Sequence, residues 1–483
     1  MGYESLAGFS SLHIPPGHGE RPKRRYETRK GKGEKAKVRR EGISTMEDNG
    51  MARGISKITT EGRKMRKEFK RIGFGLVAVG LSLMLLLTGA MPICEAGPDE
   101  KVVRIGVRAA FTGVVASTGY AYCPGSIDCI RYIDEHGGIN GIRVQCAWED
   151  CRSLAALEIS THKRFKQAEV VAEINYLSTG AEITTRLQQR DEIPLMSISY
   201  LSDACITYPI RWVFGGVGPW NVYSATSIKW VKENWAESRP LRVGIVFYDH
   251  SSGWSSIEGI PEYCAKMGVE YIGHEVVPLL GCIDTSVELL RIAAKKPDWL
   301  LFPISGAPLT TVMKDAGRLE LQKSGIKLCN TVSAVDHIFI KATGADSENW
   351  HVLRHFPAPW ETEYAGMAAV NEAAKKYRGW EPAETGELYV AGWLGAAVVI
   401  EGIRLAVEKV DLNNLTGHAV RDGMASIKGW ETGILPPITL SDDKPWFIDF
   451  VGMYQVQQAK AVPISGWIEA VPPQELGSLI IKK

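Results

Sequence analysis

KVVRIGVRAAFTGVVASTGYAYCPGSIDCIRYIDEHGGINGIRVQCAWEDCR, residues 101–152, carries the pattern that decides the fold. Val102 to Val107 (VVRIGV) is an apolar, β-branched run and reads as a strand. It ends at a glycine-containing loop, AAFTGVVASTG, and Pro124 suits the first turn of a helix that the GGIN at 137–140 terminates. IRVQCAW then reads as a second strand, which makes the stretch one βαβ unit. In open α/β sheets ligands sit beyond the carboxyl ends of the strands, so the polar loop Phe111 to Gly119 is the first place to expect a small molecule. It offers the hydroxyls of Thr112, Ser117 and Thr118, with no clustered catalytic triad or metal ligands.

The alternation continues outward from this unit. A helical stretch from Leu154 to Gln167 leads to VVAEINYLSTG, and another from Ala181 to Arg190 leads to IPLMSISYLSDA. WVFGGVGP (212–219) reads as a connecting strand and crossover. The rhythm restarts at Leu241 with RVGIVFYDHSSGW, then VEYIGHEVVPLLG, DWLLFPISGAP and IKLCNTVSAVD, each separated by a helix-length segment. Strands alternating with helices predict an α/β fold with mainly parallel sheets flanked by helices. Two such series joined by crossovers predict two lobes with a cleft between them.

The 483 residues carry a formal net charge of +1, which conceals an asymmetry. Residues 1–64 hold 15 Lys/Arg against 8 Asp/Glu, whereas residues 97–483 hold 37 against 45. An acidic main body argues against general nucleic-acid binding. Between the two lies MRKEFKRIGFGLVAVGLSLMLLLTGAMPICEAG, with Arg66, Lys67, Lys70 and Arg71 ahead of an apolar core at Leu76 to Leu87. That is the layout of a secretory signal with cleavage expected after Ala96; an uncleaved membrane anchor is the alternative, because Ile72 to Cys94 has no charge. The basic stretch 1–64 has too few apolar residues for a packed core and reads as a disordered extension, either upstream of the true start at Met65 or a nucleic-acid-binding tail. Eight cysteines follow: 123, 129, 146, 151, 205, 264, 282 and 329. An even number in an exported chain permits disulfides, with 105 complete connectivities open. There is no paired CxxC pattern for zinc.

The opening stretch, with the TG of its first loop, Gly125, GGING and the acidic pair Glu149–Asp150 in order, resembles the type I periplasmic binding proteins that deliver branched-chain amino acids, amides and related solutes to ABC importers. The resemblance runs over roughly 101–470. It implies the two-lobed type I periplasmic binding protein fold, hinge closure on an amino acid-like or amide solute, ABC permease subunits as membrane partners, and a periplasmic or extracytoplasmic location. It also implies lobe 1 at 97–218, lobe 2 at 219–351, lobe 1 again at 352–430 and closing strands of lobe 2 at 431–483, after a signal or anchor at 65–96. Relatives can bridge the position of Cys151 to the next ligand loop; here that loop is NYLSTG, without cysteine, so Cys146 or another partner is needed. A sensing receptor of the same fold without a transport role is the alternative function.

The resemblance assigns Ser178, in the loop YLSTG before a helix, to a solute carboxylate, with Thr179 beside it; a plain helix N-cap is the competing reading. Ser199 and Tyr200 fall where relatives have a ligand segment, with Tyr200 in place of a usually small residue. Trp254 follows Gly253 where relatives carry Tyr-Gly and offers an aromatic face or a core tryptophan. Ser305 ends a strand, and Asp336 lies where amino-acid receptors present an acid to the ammonium, or else caps a helix. An enzyme is not expected: the chain has no GxGxxG, GxxxxGK[ST] or GxSxG motif, and His136, His162 and His250 are scattered. No cofactor or metal is expected.

Overall fold

The computed structural model describes residues 102–113, 116–201, 205 and 211–477. The chain divides into two units, Met1–Cys94 and Glu95–Lys483, and all described residues belong to the second. The basic extension and the signal or anchor at 65–96 therefore lie outside the described residues.

The opening stretch forms the βαβ unit its pattern predicts: strand β1 (Val102–Ala109), helix α1 (Ala116–Glu135) and strand β2 (Arg143–Asp150), with β1 and β2 parallel from Val102↔Arg143 to Ala109↔Asp150. The helix starts at Ala116, well before Pro124, so much of the expected ligand loop is its first turns. Next come α2 (Ala155–Gln167), β3 (Ala172–Asn175), α3 (Ser178–Asp191), β4 (Leu195–Tyr200) and β5 (Val213–Val217). They complete an all-parallel sheet in the order β2-β1-β3-β4-β5. Its strands are apolar and mostly buried, as strands covered by helices on both faces must be.

The second sheet has the order β12-β11-β10-β9-β8-β6-β7. Helix α4 (Trp220–Glu233) leads into β6 (Leu241–Tyr248), short helices α5 (Ser251–Ser255) and α6 (Ile260–Lys266), and β7 (Val269–Val277). Then follow α7 (Ser286–Ala293), β8 (Trp299–Phe302), α8 (Ala307–Arg318), β9 (Lys327–Asn330), α9 (His337–Thr343) and β10 (His351–Arg354). Four helices, α10 (Met367–Arg378), α11 (Pro382–Thr385), α12 (Glu387–Lys409) and α13 (Gly417–Ala425), precede β11 (Phe450–Gln457) and β12 (Lys460–Glu469). β11 joins β10 antiparallel, and β12 joins β11 likewise, so this sheet is mixed at one edge.

The pairing fixes where the chain changes sheets. β10 pairs parallel with β9, which keeps Val352 in the second sheet, and Phe447 and Ile448 donate backbone N–H groups to Gly215 and Gly216 of β5. Strand β10 thus stays in the second sheet through Arg354, and the chain still runs along β5 at Ile448; the resemblance places the return to the first lobe near Val352 to Pro357 and the crossing back near Trp430. Local apolar patterning cannot tell which sheet a strand joins, because both sheets accept the same residue types.

Helix α12 is long and apolar enough to cross a membrane by length and composition, yet most of it is buried inside the fold. It packs against α1 with the two backbones in contact. A Cβ on Gly392 would sit 2.0 Å from the Tyr122 carbonyl oxygen, and one on Gly125 would sit 2.1 Å from that of Tyr389. The Ser126 hydroxyl donates to the Gly392 carbonyl at 2.8 Å across this crossing.

The disulfides that the cysteine count permits are not formed among Cys123, Cys129, Cys146, Cys151, Cys264, Cys282 and Cys329. Most are buried among apolar residues and act as small hydrophobes in the core. Burial pushes the thiols of Cys123, Cys151, Cys264 and Cys329 up to about 12, which keeps them protonated and unreactive at neutral pH.

Candidate functional site

The strand ends of the two sheets face each other across a cavity of about 60 Å³. That is room for roughly five water-sized groups in this conformation. From the first lobe come Thr118 and Tyr122 on α1, Tyr176 after β3, Ser199 and Tyr200 ending β4, and Val217 ending β5. From the second come Ser305 after β8, Val332, Ser333 and Ala334 after β9, Phe339 on α9 and His355 after β10. Trp220 opens α4 and Leu388 opens α12. Nearly every contributor lies just past a strand or in the first turns of a helix, as the topology of open parallel sheets demands.

Five aromatic rings wall the space. Tyr122 and Tyr176 lie 4.9 Å apart between centroids, while Tyr200 meets Trp220 edge-on at 5.5 Å. The hydroxyls are tied to one another. Tyr176 donates to the Thr118 oxygen at 2.5 Å, and Tyr248 lies 3.4 Å from the Ser305 oxygen. Among the described residues no Asp, Glu, Lys or Arg lines the cavity. His355 is 2 % exposed, and burial pushes its pKa down to about 3, so its imidazole is neutral.

Of the residues singled out from the sequence, Thr118, Ser199, Tyr200 and Ser305 line this cavity. Ser178 and Thr179 open α3 half-buried and are not part of the lining. Thr112 is exposed and donates its hydroxyl to Asp150 at 2.6 Å. Trp254 is also exposed, its indole N–H donating to Asp249 at 2.9 Å and its ring edge-on to Phe247. The side chain of Ser117 lies outside the described residues.

Asp336 stands beside a neighbouring cavity of about 150 Å³ that shares Leu388 with the first and is lined also by Tyr120, His337, Trp380 and Glu384. Its carboxylate is the N-cap of α9 and accepts the Phe339 N–H at 2.9 Å. Burial raises its pKa against the pull of those backbone N–H groups and of Arg354. Replacing Asp336 by alanine is therefore expected to lower stability by about 1 kcal/mol, read as a lower urea midpoint. Asp336→Asn, which keeps a capping oxygen, is expected to leave both stability and solute affinity nearly unchanged. A large fall in affinity for Asp336→Asn would return this residue to the ligand set.

Behind the cleft, Arg354 of β10 reaches Glu387 at the start of α12, with a nitrogen–oxygen distance of 3.1 Å and both side chains almost fully buried. Burial raises the Glu387 carboxyl to about 7, the guanidinium pulling it down and the Asp336 carboxyl pushing it up. No group of three or more metal-ligating side chains occurs among the described residues.

Residues 102–461 match the sequence profile of the periplasmic binding proteins. The chain belongs to this family. Its two mostly parallel sheets, flanked by helices, are the type I architecture. No curated protein sequence matches the chain. Solved structures of similar fold include a branched-chain amino acid ABC transporter protein from Thermus thermophilus with bound valine, at 17 % identity and TM-score 0.68, covering 77 % of this chain and 97 % of that one. An ABC transporter substrate-binding protein from Aeropyrum pernix matches at 16 % identity and TM-score 0.69, over 80 % and 100 % of the two chains. A solute-binding protein from Rhodopseudomonas palustris in complex with benzoate matches at 17 % identity and TM-score 0.63, over 78 % and 99 %.

The sequence reading missed most of this periplasmic binding protein's cavity: Tyr122, Tyr176, Trp220, Ser333, Phe339 and His355. A signal for some of them was present. Tyr176 and His355 each directly follow the last residue of a strand, so the rule that points to strand ends would have found them. Trp220 and Phe339 lie on helices, and nothing in local pattern separates them from ordinary core aromatics.

Proposed function

We propose that this protein is the extracytoplasmic solute receptor of an ABC importer, that it closes on its solute by hinge motion, and that the solute is a small aromatic carboxylate. The observation that carries this reading is the cavity between the lobes, walled by five rings and free of charged side chains among the described residues. An α-amino acid brings an ammonium that needs a carboxylate partner in so dry a space. The acid expected there, Asp336, is engaged as a helix cap and faces the neighbouring cavity. A carboxylate has better prospects. Thr118, Trp220 and Leu388 bring the N-terminal turns of α1, α4 and α12 to the cavity, where helix dipoles and backbone N–H groups favour an anion without a cation. The benzoate bound by the Rhodopseudomonas palustris protein of similar fold agrees with this solute class.

Because both lobes line the cavity, a solute stabilises the closed arrangement over the open one, which is what makes closure readable by a permease. Membership in the periplasmic binding proteins supports the extracytoplasmic location and the permease partner.

Thermal unfolding of the purified protein with benzoate, 4-hydroxybenzoate, L-valine and L-leucine tests the solute class. A solute at about 100 times its dissociation constant adds roughly 2.7 kcal/mol of stability and raises the midpoint. Aromatic acids are expected to raise it and the two amino acids to leave it unchanged. A shift with valine or leucine alone would return the protein to the amino-acid receptors.

A further inference from the structure

We infer that His355 is the specificity-determining residue of the cleft and that it reads a hydroxyl group on the solute's ring, which narrows the solute class to hydroxylated aromatic acids. The inference rests on the aromatic-acid reading above and deepens it.

His355 lines the cavity, is 2 % exposed, and its Nε2 has no hydrogen-bond partner. A buried polar nitrogen left without a partner is costly in a folded protein, and on a residue that lines a solute cavity that cost has a use. The ring is also fixed before any solute arrives. The backbone N–H of His355 donates to the Ser333 hydroxyl at 2.7 Å, and the imidazole tilts onto Tyr223 with centroids 4.3 Å apart. Ser333 itself takes a left-handed backbone, φ 56°, a strained conformation for a residue with a Cβ. In that conformation its N–H donates to the Leu353 carbonyl while its oxygen accepts from His355. Two strand ends are thus locked together so that one imidazole is held in place.

The chemistry of the partner follows from the imidazole. Burial keeps it neutral, and no charged side chain among the described residues lines the space around it. A neutral imidazole presents Nε2 as a donor in one tautomer and as an acceptor in the other. A hydroxyl can donate and accept, so it satisfies either tautomer; a methyl group or bare ring edge satisfies neither and leaves the nitrogen orphaned. The solute's carboxylate is better placed at the helix N-termini that Thr118, Trp220 and Leu388 bring to the lining.

The test is calorimetric titration of the purified wild-type protein and of His355→Phe with 4-hydroxybenzoate and with benzoate, each checked by the unfolding midpoint. Wild type is expected to prefer the hydroxylated acid. His355→Phe is expected to lose about 10- to 100-fold in affinity for 4-hydroxybenzoate and clearly less for benzoate, so that the preference for the hydroxylated acid collapses. His355→Asn, which keeps a neutral polar group, is expected to recover part of the preference and guards against a folding failure of the phenylalanine variant. If wild type binds neither acid, the aromatic-acid reading falls and this inference with it. If wild type binds both and His355→Phe weakens both equally or neither, the role of His355 alone is overturned.

Discussion

Replacing Arg354 by methionine is expected to lower the stability of the folded protein by about 3–5 kcal/mol at pH 8, because it leaves a buried carboxylate without its cation. Glu387 is fully buried, and Asp336 lies close enough to raise its pKa further. The Nε and Nη1 atoms of Arg354 and both Glu387 oxygens lack well-aligned hydrogen bonds, so the pair is held chiefly by charge. Poor alignment at a buried pair predicts a second result: Arg354→Met combined with Glu387→Leu regains most of the loss, since the desolvation of both charges disappears with them.

The pH dependence has a definite sign. The folded Glu387 carboxyl titrates at about 7 against an ordinary value of 4.5. Between those values the folded chain holds a proton that the unfolded chain has released, so this group's contribution falls as pH rises through the window. At about 1.4 kcal/mol per unit the full decline is on the order of 3 kcal/mol, complete above pH 7. In Arg354→Met the penalty is expected to be largest above pH 7 and to shrink toward pH 4.5, as Glu387 and Asp336 take up protons. Urea unfolding at several pH values measures this. A pH-independent loss, or a double variant no better than the single, would sink the account.

Gly392→Ala is expected to destabilise the protein by about 2–3 kcal/mol, opposite in sign to helix propensity, by which alanine in a helix interior gains about 1 kcal/mol over glycine. The added methyl meets the Tyr122 carbonyl oxygen at 2.0 Å, which is backbone and cannot swing aside. Relief requires α1 and α12 to separate, and that breaks the 2.8 Å hydrogen bond from Ser126. Gly125→Ala attacks the same crossing from the other helix, so the two substitutions are expected to combine less than additively. The separation also moves the cavity wall, since α1 carries Thr118 and Tyr122 and α12 carries Leu388. Solute affinity should fall together with the urea midpoint. A Gly392→Ala protein more stable than wild type would show that the helices do not touch there.

Gly125 and the GGIN stop were legible in the sequence, but the contact that makes Gly125 necessary was not, because its partner, Tyr389, is 264 positions away in α12. The same divide runs through the site. Ser199, Tyr200 and Ser305, which line the cavity, were legible as candidates because each sits at or just past a strand end. Asp336 reads from the sequence as either ligand or cap, and its carboxylate caps α9.

The sequence by itself determined the elements and their class. Apolar β-branched runs, helix-length spacers and glycine turns are local properties, and their alternation leaves parallel sheets flanked by helices as the way to cover every strand. Only the tertiary structure decided which strand ends meet across the cleft, that Cys123, Cys151 and Cys329 pack in the core without disulfides, that Val352 remains in the second sheet while Phe447 still runs along the first, and that His355 lines the cavity and its Nε2 is unpaired. Those outcomes depend on contacts between residues far apart in the chain, and periodicity, which reports only a residue's near neighbours, carries no record of them.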